Sequence, residues 1–131
     1  MPGTGPLRLA LLLALAVPAT GCLAAAAGGA AAGIYLTSRG AEGVVEGAVD
    51  DVARRAEAVM NEMGIPVTGN KTEKSGDVRE FVGKKGDLDV TVHLERETPT
   101  TTKAEVTARK NLAEWDKDYA KEVLSRIVAK G

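Results

Sequence analysis

Apolar and polar positions along this chain form two helical stripes and, between them, a run of alternating segments. From Ala48 the apolar residues Ala48, Val49, Val52, Ala53, Ala56, Val59, Met60 and Met63 recur with helical period, while Asp51, Arg54, Arg55, Glu57 and Glu62 fall opposite. Asp50–Arg54 and Asp51–Arg55 are expected i,i+4 pairs with the acid on the N-terminal side. The stop is well marked: Gly64 suits the left-handed position after the helix, Ile65 can fold back on the last turn, and Pro66 cannot continue it. A second stripe, Trp115, Tyr119, Ala120, Val123, Leu124, Ile127 and Val128, predicts a closing helix. Asn111 and Glu114 are placed to form its capping box.

Between the stripes the period is two. Leu88, Val90, Val92 and Leu94 alternate with Asp89, Thr91, His93 and Glu95, and Ala104, Val106 and Ala108 alternate with Lys103, Glu105, Thr107 and Arg109. Each reads as a strand with one face in a core and one in water. Val78–Lys84 is a further strand, joined to Leu88–Arg96 by a tight turn at Lys85-Gly86-Asp87. Ile65–Thr72 is a strand weakened by Pro66 and Gly69, and Ala41–Glu46, bracketed by glycines 40, 43 and 47, is a short leading strand. The short connections favour antiparallel pairing. A sheet with one apolar face needs a cover, and the two helices supply it. The expected fold is therefore α+β: a two-layer sandwich with an antiparallel sheet of three to five strands covered by two helices, over residues 41–131.

The N-terminal pattern is different. Nine apolar residues, Leu9–Val17, follow Arg8 and lead through Ala19-Thr20-Gly21 to Cys22, the layout of a secretory signal over residues 1–21. Small residues directly before a cysteine resemble the lipobox of bacterial lipoproteins, with Ala19 standing where leucine is commoner. That resemblance implies cleavage before Cys22 and lipidation of its thiol. Residues 22–40 are Ala/Gly-rich and read as a membrane-proximal tether. A helix over Leu23–Leu36 would cover about 21 Å at 1.5 Å per residue, short of a hydrocarbon core of about 30 Å. Gly29 and Gly33 have the spacing of a close helix–helix contact, a sharper alternative for the same stretch.

Composition narrows the function classes. Removing residues 1–21 from the 131-residue chain leaves 110, enough for one modest domain. Of 17 basic residues only Arg8 goes, leaving 16 against 18 acidic, a balance that does not attract nucleic acid. Cys22 is the only cysteine, so neither a disulfide nor a cysteine metal site is expected in the folded part. His93 is the only histidine and lies on the polar side of its strand, expected to be exposed. Asp50-Asp51, Glu95 with Glu97, and Asp116 with Asp118 are carboxylate pairs that solvation or a helix dipole explains. Trp115 reads as a core anchor. No catalytic residue, metal ligand or cofactor is assigned.

Cys22, then Gly33-Ile-Tyr35 and Gly40, then a helix from Asp51-Val52 closing in Met63-Gly-Ile-Pro-Val67, resembles an uncharacterised family of short bacterial lipoproteins. Such proteins would carry a Gly-Asp pair before the last helix, and Lys110-Asn-Leu-Ala-Glu-Trp-Asp116 departs from it. The helix–sheet–helix outline is also similar to the helix-grip domains of outer-membrane assembly lipoproteins, by fold analogy. The resemblance implies a membrane-anchored envelope protein, facing the periplasm from the outer membrane if the host is Gram-negative, since Leu23 rather than Asp follows the cysteine. The expected role is a non-catalytic module that binds another envelope protein. The alternative is a carrier with an apolar ligand between sheet and helices.

Overall fold

A computed structural model describes residues 33–131. The signal segment, Cys22 and the tether up to residue 32 lie outside the described residues. In chain order the elements are β1 (Tyr35–Leu36), β2 (Gly40–Glu46), α1 (Val49–Glu62), β3 (Val67–Glu73), a short 3₁₀ turn at Lys74–Gly76, β4 (Val78–Lys85), β5 (Leu88–Thr98), β6 (Thr101–Arg109) and α2 (Lys117–Ala129). The fold is α+β, a six-stranded antiparallel sheet in the order β1-β2-β6-β5-β4-β3 with two helices.

The strand count exceeds the expected three to five. The additional strand is β1, in the stretch read as tether, where Tyr35 pairs with Glu42 and Leu36 with Ala41. Two residues are too few to show alternation, and the Ala/Gly composition upstream hides them further. The other five strands follow the pattern. Val90, Val92 and Leu94 of β5 and Ala104, Val106 and Ala108 of β6 are fully buried. Thr102 shares their face and is equally buried, its hydroxyl donating to the Gly47 carbonyl oxygen at 2.9 Å.

Both helices lie on this apolar face. Val52, Ala56, Val59 and Met60 of α1 and Ala120, Val123, Leu124 and Ile127 of α2 join one core with Phe81 and the inward residues of β2, β5 and β6. The exit from α1 is a Schellman motif: the Ile65 amide donates to the Met60 carbonyl at 2.8 Å and the Gly64 amide to that of Asn61 at 3.1 Å. Gly64 has φ +70°, where a side chain is strained, and Ile65 returns to the core. Close beside it, Gly83 of β4 lets the chain after α1 approach. A Cβ there would stand 2.7 Å from the Pro66 carbonyl oxygen and from Ile65.

Two local expectations are overturned. Asp50 and Asp51 do not make i,i+4 pairs: Asp51 pairs with Arg54, one residue closer at i,i+3, and Asp50 receives Arg79 of β4 at 3.1 Å, tying helix to sheet. Arg55 instead donates to the Glu46 carbonyl. The last helix starts at Lys117, not near Asn111. Asp116 is its N-cap, accepting from the Tyr119 amide at 3.0 Å, while the Asn111 side chain accepts from the amides of Ala113 and Glu114 in the preceding loop. Trp115 therefore sits outside the helix, half-buried and bridged to Arg109, rather than in the apolar stripe.

Candidate functional site

Among the described residues both helices lie on one side of the sheet, and no element covers the opposite face. Its character follows from register. Tyr35 pairs with Glu42, Glu42 with Glu105, Glu105 with His93, His93 with Glu80, and Glu80 with Lys71, a single polar row across all six strands. The next row sets Lys103 between Val44 and Glu95. Three glutamates and one histidine thus stand in line at the centre of the face.

Like charges directly opposite repel, and the neighbours offset this at two points. Lys103 reaches diagonally to Glu42, Nζ to Oε1 at 3.4 Å, and the Glu42 side chain keeps only 18% of its exposure. The hydrogen bond that the Lys103 ammonium donates to Glu42, then the charge of Glu42, holds Lys103 above the usual lysine range. Across β4 and β5, His93 Nδ1 lies 3.2 Å from Glu80 Oε2, both side chains about one-third exposed. With Lys103 given to Glu42 and His93 to Glu80, Glu95 and Glu105 have no basic partner within 4 Å among the described residues. These five side chains, Glu42, His93, Glu95, Lys103 and Glu105, enclose a shallow depression of about 80 Å³.

His93 is thus half-buried and partnered, not simply exposed. Pattern alone passed over Glu80, although the hairpin contains it: with Lys85 closing against Leu88 across Gly86-Asp87, five residues back and five forward meet as Glu80 and His93. The carboxylate pairs singled out from the sequence are not brought together as a site. Asp50 and Asp51 go to Arg79 and Arg54, Asp116 caps α2, Asp118 lies in its first turn, and Glu97 is exposed near the end of β5. Among the described residues no group of three His, Cys, Asp or Glu side chains is placed to hold a metal ion. Cys22 lies outside the described residues.

Two further depressions are at the ends of the sheet. One, of about 300 Å³, is lined by Leu36, Glu114, Trp115 and Asp118 among others; the second, of about 230 Å³, lies by Ala48, Asp77 and Arg96. None of the three opens between sheet and helices. Trp115 is flanked by two guanidinium groups, Arg39 at 5.6 Å and Arg109 at 5.5 Å from the ring centre. No helix among the described residues is long and apolar enough to cross a membrane. No protein-family model matches this chain, and no curated protein sequence matches it.

Proposed function

We propose that this protein is a lipid-anchored bacterial envelope lipoprotein of the short kind its sequence resembles, held at a membrane by Cys22, and that its domain is a non-catalytic protein-interaction module. The observation that carries the module reading is the open sheet face, which the two described helices leave uncovered and which presents a row of paired and unpaired charges. Glu95 and Glu105 favour a partner that brings basic side chains. The helix-grip likeness belongs to the same reading, one sheet holding two helices on a single face. Periplasmic placement at the outer membrane follows from Leu23 in a two-membrane host.

Anchoring matters to such a module because confinement raises the effective concentration of domain and partner, so a weak contact across a polar face becomes well occupied. Two measurements test the reading. Metabolic labelling with a fatty-acid analogue should mark the wild-type chain and not Cys22→Ser; an unlabelled wild type ends the lipoprotein reading. A photo-crosslinking side chain at Thr107, half-buried on the open face, should give a discrete protein adduct that Glu95→Lys with Glu105→Lys abolishes. The same probe at Glu57 on the outer face of α1 should give none. Equal adducts from both positions would end the module reading.

A further inference from the structure

We infer that the loop between β6 and α2, together with β1, seats the domain on the lipid surface, with Leu112 as the inserted side chain. This rests on the anchored reading above and goes beyond it, because an anchor alone leaves the domain free to take any orientation.

Leu112 stands 89% exposed at the tip of a loop that is otherwise tied down. Asn111 Oδ1 accepts from two loop amides, the Lys110 amide donates to the Glu114 carbonyl at 2.9 Å, and the Asp116 amide to that of Ala108 at 2.7 Å. Arg109 holds the loop from beneath, donating to the carbonyls of Asn111 at 3.1 Å and Leu112 at 3.3 Å. The leucine is thus displayed on a built support. Leu36 of β1, 49% exposed, lines a depression with Lys110, Glu114 and Trp115 of the same loop. Leucines, an indole and flanking arginines are the side chains that lodge at a membrane–water interface, ring and alkyl groups inward, guanidinium at headgroup level.

Position selects lipid as the occupant. β1 is the first element of the domain, and Leu36 belongs to it. From Cys22 to Gly33 the chain spans at most about 36–40 Å even when fully extended, and it enters the domain at the edge built on β1. Basic Arg39, Arg109, Lys110 and Lys117 are offset there, all but one charge, by Glu114, Asp116 and Asp118. Apolar insertion, rather than attraction to anionic lipid, therefore carries the contact. A patch this small would not hold a free domain on a bilayer; next to an anchor it is occupied.

Trp115 is the only tryptophan, which makes it the reporter. The full acylated protein is reconstituted in zwitterionic vesicles with or without lipids brominated along their acyl chains. Emission should fall roughly twofold with bromine if the loop enters about 5–10 Å below the headgroups. Leu112→Ser, acylated alike and with the same emission in vesicle-free detergent, should escape quenching. Vesicle-bound wild type with unquenched Trp115 overturns the seating alone and leaves this edge to a protein. Leu112→Ser quenched as fully as wild type overturns the role of Leu112. Protein that does not float with vesicles overturns the anchor reading and the seating together.

Discussion

His93 and Glu80 face each other across the β4–β5 hairpin, Nδ1 to Oε2 at 3.2 Å, in the middle of the sheet's open face. A cross-strand pair of this exposure is worth about 0.2–1 kcal/mol. A double-mutant cycle with His93→Ala and Glu80→Ala should return a coupling in that range by urea denaturation at constant pH; additivity would mean the contact contributes nothing.

Val92 lies directly beneath, fully buried and paired with Phe81 on one side and Val106 on the other. Val92→Ala should destabilise by about 1–3 kcal/mol through lost burial and the cavity left behind, measured as a lower urea midpoint with unchanged slope.

Gly83→Ala should also cost stability although it adds only one methyl, by about 1–3 kcal/mol. The new Cβ meets the Pro66 carbonyl oxygen, which belongs to the backbone and cannot rotate away. At Gly64 the space is open, yet φ +70° penalises a side chain. Alanine there should cost about 1 kcal/mol through backbone conformation alone.

Asp116→Ala should lower stability by about 1 kcal/mol as the loss of a helix cap, and should reduce amide protection at Tyr119, whose N–H it receives. Asn111→Ala should leave α2 protected and instead loosen Ala113 and Glu114. Hydrogen exchange separates the two.

Glu42→Gln should bring the Lys103 pKa down toward the ordinary 10.5, read from the lysine side-chain carbon shift in an NMR titration. Because the folded value is raised, what the pair contributes is present at neutral pH and is lost as pH climbs above 10.5 through the raised value. No change at Lys103 would mean that Glu42 does not hold it.

Much of this fold is legible in the sequence because its signals are local. The stripe through Val52, Ala56, Val59 and Met60, the Gly64-Ile65-Pro66 stop and the alternation of Leu88–Leu94 each require only neighbouring residues to agree. What escapes is set by competition or by distance. Asn111 with Glu114 has the spacing of a capping box, but Asp116 takes the cap and Asn111 closes a loop turn. Asp50 has a local arginine at the right spacing and pairs with Arg79 of the sheet instead. In the candidate site, His93 and Lys103 are placed on the polar side by alternation, and Glu80 follows from the hairpin count. The approach of Glu42 to Lys103 could not be read, since β2 and β6 are far apart in the chain.

That pairing of β2 with β6, from Gly40 against Thr107 to Glu46 against Thr101, also orders events during synthesis. The second strand to leave the ribosome has only the two residues of β1 beside it until the last strand emerges. Until then Ala41 and Val45 have no sheet to join, and α2, which packs against β2 and β6, has no floor. Closure is thus a late, non-local step with its chain-entropy cost met all at once. Before that step only the local β3–β4–β5 hairpins can pair; the finished sheet and the core beneath it arrive together with the last strand and helix.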